Sequence, residues 1–132
     1  MIVSKFSELK KILKNSYSPY SKFKTAAIVV TDKGNFAGVN VENSSYAATV
    51  CAERNAIFSA IANGAKKFKS LYVISSSKRK DIVPCAVCLQ VMNEFFGPNT
   101  EIIFFNINGA SIKYKFSQLL PFSFNKKQLK KN

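Results

Sequence analysis

All three cysteines of this chain fall in two short stretches, TVCAERNAIF (Thr49–Phe58) and VPCAVCLQ (Val83–Gln90). Each stretch follows strand-like or loop sequence and opens a helical pattern. The first helix is predicted from Val50 to Ala62, where Asn63-Gly64 supplies a stop. Pro84 suits the first turn of the second helix, which is expected to run to about Phe96 and end at Gly97-Pro98. Each helix follows its strand in the same sense. A fold that satisfies this chain therefore brings two helix starts, and all three cysteines, to one end of a sheet.

The remaining pattern supplies that sheet. Phe6, Leu9, Ile12 and Leu13 share one face of an N-terminal helix, which SYSPYSKF interrupts at Pro19. KTAAIVVT reads as a buried strand, DKGN as a turn, and FAGVNV as a second strand paired with the first in a hairpin. LYVIS is a short buried strand and SSKRKDIV a polar loop. EIIFFN is another strand, and Asn108-Gly109 turns the chain into SIKYKF. Strand, helix, strand, helix, strand predicts crossovers over a sheet, and the leading hairpin makes that sheet mixed. The expected fold is a three-layer α/β/α domain with a mixed sheet of about five strands.

Composition narrows the class. The chain has 132 residues, 47% of them hydrophobic, with 12 Phe. That is enough to bury a core without disulfide staples, and it reads as one domain, residues 1–132, with a basic tail at 125–132. No apolar run approaches a membrane span, and MIVSKFSELKK has no signal-peptide core. Three cysteines cannot all pair with one another, so a reduced, cytoplasmic protein is expected. The net charge of +13 invites a nucleic-acid reading. The lysines are scattered, however, and the only arginines are Arg54 and Arg79, whereas arginine is the usual base-reading side chain. Solvated surface lysine is the preferred explanation.

The cysteines carry the chemistry. Helix N-termini expose free N–H groups and partial positive charge, which favour thiolate over thiol. Three thiolates gathered at such a point suit a soft-to-borderline divalent ion, with zinc the leading candidate. There is no histidine in the chain to complete a set of four. A closed structural site takes four protein ligands, whereas an open fourth position marks a catalytic zinc. Glu53, two residues past Cys51, is the partner placed to accept a proton from water held there. Other readings remain at this level. A lone CxxC also serves redox or structural roles, and a single buried cysteine is often a small hydrophobe.

CAER followed by PCAVC resembles the cytidine deaminase family in its all-cysteine form. YSPYSKF, GVNVENSSYAATVCAERNAIF, PCAVCLQVMNEF and LLPFSF are similar, in order and spacing, to segments of the small free-nucleoside deaminases. Those enzymes are oligomers, usually tetramers, with one zinc per subunit. The resemblance implies hydrolytic deamination of cytidine or deoxycytidine to uridine or deoxyuridine and ammonia, a step of pyrimidine salvage. It implies zinc on Cys51, Cys85 and Cys88, and proton transfer by Glu53. Asn40 and Glu42, from NVEN, would bind the ribose hydroxyls. Phe23 would pack near the pyrimidine, and the backbone of Ala52 would meet its edge. Tyr46 and Phe124 would serve the pocket of an adjoining subunit. Arg54 would donate hydrogen bonds to the thiolates and offset their charge. The chain departs from the usual PCGxCRQ at two places, with Ala86 for glycine and Leu89 where an arginine is common. Rival expectations are a deaminase of a related aminopyrimidine nucleoside or antibiotic, and an RNA-editing or nucleic-acid-binding protein.

Overall fold

The computed structural model describes residues 2–130. Helix α1 spans Ile2–Leu13, and the hairpin strands β1 and β2 span Thr25–Thr31 and Gly34–Val39. Helix α2 is Ala52–Ala62, strand β3 Phe68–Ser75, and helix α3 Ala86–Phe95. Strands β4 (Glu101–Phe105) and β5 (Ser111–Lys115) lead to a short helix α4, Phe116–Leu119.

The five strands form one sheet in the order β2-β1-β3-β4-β5. β1 is antiparallel to both β2 and β3, β4 is parallel to β3, and β5 is antiparallel to β4. β2 and β3 therefore run in the same direction. This is why α2, which follows β2, and α3, which follows β3, begin at the same end of the sheet. The expected mixed α/β arrangement is present.

Alternation along the strands divides the core in two. Ala27 and Val29 of β1, Leu71 and Val73 of β3, and Ile102 and Phe104 of β4 face α2 and α3. Ala26, Ile28, Tyr72, Ile74, Ile103 and Phe105 face the other way, onto Leu9 and Leu13 of α1. Phe6 of α1 adds a ring 5.4 Å from that of Phe105. The sheet thus has helices on both faces, and every central strand is apolar on both sides, as two covered faces demand.

Helix α2 lies unusually close to β2. A Cβ on Gly38 would sit 2.5 Å from the Ala56 nitrogen and 2.6 Å from the Ala52 carbonyl oxygen. Only glycine permits that approach. Ala52, Ala56 and Ala60 repeat every four residues on the packed face of α2, all fully buried, so small residues on both partners set the spacing.

Three of the boundary differences from the sequence expectation bear on the site. β2 ends at Val39 rather than Val41, because Val41 and Val50 instead exchange backbone hydrogen bonds, 3.0 Å each way. Val50 is therefore extended and α2 starts at Ala52, with Cys51 in the cap position. Pro84 does not lie in the first turn of α3; it precedes the cap residue Cys85. The basic tail forms a 3-10 turn at Lys126–Leu129, and its positions 131–132 lie outside the described residues.

Candidate active site

Both cap positions are cysteines. Cys51 and Cys85 hold extended backbone immediately before their helices, and Cys88 follows one turn into α3. Cys85 and Cys88 share a helix start, so their sulfurs meet locally at 3.4 Å. Cys51 is brought in by the sheet, with its Sγ 3.6 Å from that of Cys85. All three sulfurs lie within 4.8 Å of one another. Tetrahedral zinc with Zn–S bonds of about 2.3 Å sets its sulfurs about 3.8 Å apart. The trio fits that spacing.

The electrostatics favour an anionic cluster. Hydrogen bonding from Cys88, helped by Arg54 and Cys85, outweighs burial and lowers the Cys51 thiol to about 5. Cys88 is pushed the other way by the same bond to Cys51 and by burial, so its thiol proton is the harder to remove. A metal ion that takes all three sulfurs displaces that proton, the usual coupling between metal affinity and pH. The Cys88 backbone N–H also points at Cys85 Sγ, 3.4 Å away, a helix-start donor serving a sulfur.

Arg54 supplies the positive charge. Its Nη2 lies 3.6 Å from Cys51 Sγ. Burial works against the cation, but bonds to Cys51 and Cys88 outweigh it and hold the pKa raised. Its Nε is buried without a hydrogen-bond partner. Such an orphaned donor is costly unless it belongs to a cation facing anions, and the sulfur cluster is that anion. Leu89, where an arginine is common among the proteins this chain resembles, turns into the core against α2 and the sheet and adds no charge.

Glu53 is the second residue of α2 and is only 6% exposed. Burial, reinforced by the Cys51 thiolate, raises its carboxyl to about 7, a value suited to exchanging protons near neutrality. It lines a cavity of about 200 Å³ with Cys51, Cys85, Phe23 and Asn40. Thr25, Thr49, Ser75, Ile82 and Val83 complete much of the wall, and sequence reading did not single them out. Thr25 and Ser75 are paired neighbours at the start of β1 and the end of β3. The available signal was their place at the sheet end where the two helices begin.

The other predicted residues do not all gather at the cysteine cavity. Asn40 is buried beside the cavity. Its Oδ1 accepts from Thr25 N and Ser16 Oγ, and its Nδ2 donates to the Phe23 carbonyl at 2.8 Å, so it fixes the segment carrying Phe23. Ala52, fully buried, is the first residue of α2. Glu42 and Tyr46 do not line the cysteine cavity. They line an adjoining groove with Tyr20, Ser21 and Asn43, and Thr49 is common to both. Glu42 accepts from the backbone N–H groups of Tyr20 and Ser21 and from the Ser21 hydroxyl, which hold its carboxyl below the usual range. Phe124 lies apart from both, with its carbonyl bonded to Gln90 and Asn93 on α3 and its side chain 59% exposed.

The sulfur set stops one ligand short of a closed structural site, and a proton-transferring carboxylate shares its cavity, which places the chain among the metal-dependent hydrolases. Comparison with known proteins resolves the class further. Residues 4–105 match the family model for the cytidine and deoxycytidylate deaminase zinc-binding region. The chain is 36% identical to a cytidine deaminase of Sporosarcina psychrophila over 93% of its own length and 90% of that protein. It is 34% identical to the cytidine deaminase of Mycoplasma genitalium over 90% and 92% of the two chains. The crystal structure of cytidine deaminase from Burkholderia pseudomallei superposes with a TM-score of 0.83 at 38% identity, covering 90% of this chain and 95% of that one. The chain belongs to the cytidine and deoxycytidylate deaminase family.

Proposed function

We propose that this protein hydrolyses cytidine and deoxycytidine to uridine and deoxyuridine with release of ammonia, as one step of pyrimidine salvage. The observation that carries the reading is the cavity itself, in which the sulfurs of Cys51 and Cys85 and the carboxylate of Glu53 open onto the same space. Cys51, Cys85 and Cys88 would hold one zinc ion per subunit. When bound, zinc supplies a Lewis acid that makes water nucleophilic near neutral pH. Glu53 accepts a proton from water and returns protons to N3 of the pyrimidine and to the departing nitrogen. Overall, C4 gains the oxygen of water and loses its amino group as ammonia. Arg54 keeps the anionic sulfur cluster from repelling the Glu53 carboxylate further.

The substrate would span the cavity and the adjoining groove. Phe23 would face the base, and the Ala52 N–H, unpaired within its helix as all first-turn N–H groups are, would meet the base edge. The ribose would lie toward Thr49, where the two spaces meet. Asn40 Nδ2 has one N–H left after its bond to Phe23, and a carboxylate has acceptor capacity beyond the bonds Glu42 already accepts. Together they can hold vicinal or single ribose hydroxyls. A free hydroxyl suits Glu42, whereas a phosphate would be repelled by it. Tyr46 and Phe124 would act across subunits of a homotetramer. The reading assigns the chain to the cytoplasm as a single domain with a basic tail; among the described residues no helix is long and apolar enough to cross a membrane.

The test is ammonia release, with the matching fall in cytidine absorbance, measured on cytidine, deoxycytidine, cytidine monophosphate and a cytosine-containing RNA. Turnover of the two nucleosides alone is expected. Preferred turnover of RNA would replace this reading with an editing enzyme.

A further inference from the structure

The sheet end that carries the catalytic cavity on one face carries a second concavity on the other. Lys10, Leu13, Lys14, Lys24, Ser76 and Ile107 line a groove of about 270 Å³ between the end of α1 and the ends of β1, β3 and β4. No carboxylate lines it, and none of its three lysines forms an ion pair among the described residues. The half-unit negative charge at the end of α1 is smaller than three ammonium charges. Leu13 is buried and Ile107 half-buried, so the floor is apolar while the rim is cationic.

The wall is firm. Lys24 N donates to Ser76 Oγ at 3.0 Å, and Ser76 N donates to the Lys24 carbonyl at 2.9 Å. Lys10 already lies 5.5 Å from the Phe6 ring, which leaves Lys14 and Lys24 as the freer ammonium groups. Three lysines and a hydroxyl-bearing residue lining one groove with an apolar floor suit a chain of phosphates attached to an apolar body.

We propose that this groove is a second binding site, distinct from the catalytic cavity, that takes the phosphate chain of a nucleotide or of inorganic polyphosphate. It recognises the one feature that the catalytic cavity's neighbour, Glu42, disfavours. The scattered charge elsewhere explains solubility but not this convergence of three lysines on one groove.

Calorimetric titration with cytidine triphosphate, inorganic triphosphate and cytidine tests the site, with Lys14→Glu and Lys127→Glu as variants of equal charge change. Cytidine triphosphate is expected to bind at least tenfold more weakly to the Lys14→Glu protein and unchanged to the Lys127→Glu protein. Saturating uridine is expected to leave that binding in place. Inorganic triphosphate binding as tightly as the nucleotide assigns the site to the phosphate chain alone, and tighter nucleotide binding assigns the apolar floor to the base. Equal losses in both variants would show diffuse attraction to the net charge and overturn the proposal. Displacement by uridine would place the ligand in the catalytic cavity, with the same consequence. A short RNA that binds far more tightly than the nucleotide, through Lys14, would replace the site with a polynucleotide surface.

Discussion

Cys51 Sγ and Cys85 Sγ are 34 residues apart in the chain and 3.6 Å apart in space, each on the residue that caps a helix. The contact exists because β2 and β3 run the same way, so two helices begin side by side. Cys88 can reach Cys85 within its own helix, but neither can reach Cys51 without the sheet. Removing Cys51 therefore separates metal binding from local structure. Cys51→Ala is expected to drop zinc from about one equivalent per chain to a small fraction while α3 stays folded. Elemental analysis with circular dichroism checks this, and full zinc retention would show that Cys51 is not a ligand.

Glu53 is tested by a change that keeps its shape. Glu53→Gln cannot accept a proton, and general acid–base groups contribute typically 10²–10⁴-fold. Turnover of cytidine is expected to fall at least 10²-fold with zinc content unchanged. Near-normal turnover would remove Glu53 from the chemistry.

The depth of the site rests on a backbone contact remote from the chemistry. Gly38→Ala forces a methyl group against the Ala52 carbonyl and the Ala56 nitrogen, which cannot swing away as a flexible side chain would. Overpacking of this kind costs about 1–3 kcal/mol. Because α2 carries Cys51 and Glu53, the variant is expected to lower both the thermal midpoint and zinc affinity. A wild-type midpoint would mean that α2 shifts freely on β2.

These cases show which parts of the molecule could be read from sequence. The cysteine helices were legible because their cap residues are also their chemical residues, so one short motif marks both. The sheet was legible because β1, β3 and β4 are short apolar runs bounded by turn residues. The start of α2 was misplaced by two residues because the Val41–Val50 pairing is a long-range bond with no local signal. Thr25 and Ser75 were missed for a similar reason. Each is an ordinary strand-end residue, and only the β1–β3 register brings the two together at the cavity. Glu42 and Tyr46 were named by motif, but motif spacing could not reveal that they line a separate groove.

Acid stability has an identifiable contributor at the opposite end of the sheet. Asp32 Oδ1 accepts from Lys66 N at 2.9 Å and Lys67 N at 3.0 Å, joining the hairpin turn to the loop before β3. These bonds hold its pKa below the usual 3.8. A depressed folded pKa stabilises the protein above the unfolded value, and that stability is lost as pH falls through the folded one. Asp32→Ala is therefore expected to lower the denaturation midpoint at pH 6 and to narrow its gap from the native protein below about pH 4. A gap that stays constant across that range would mean that the carboxylate's charge contributes nothing.

The last prediction concerns Phe124 and assembly. The segment holding it is tied to the outer side of α3. The Phe124 carbonyl accepts from Gln90 Nε2 at 2.7 Å and Asn93 Nδ2 at 3.2 Å, Ser123 Oγ donates to Asn93 Oδ1 at 3.0 Å, and Lys126 pairs with Glu94 at 3.8 Å. Yet Phe122 is 90% and Phe124 59% exposed. A segment anchored by four polar contacts that presents two aromatic rings to water is arranged to meet something outside its own chain. Neither ring lines the cavity of its own subunit. If Phe124 closes the pocket of a neighbour, Phe124→Ala is expected to raise KM for cytidine about tenfold, the effect of one lost aromatic contact of roughly 1.4 kcal/mol. Zinc content should stay at the native level, and the thermal midpoint should move little, as for other exposed substitutions. On that reading the chain is an oligomer, and dilution that dissociates it, followed by sedimentation, should cost activity in parallel. A fully active monomer with a native KM in the Phe124→Ala protein would show that one chain builds the whole site.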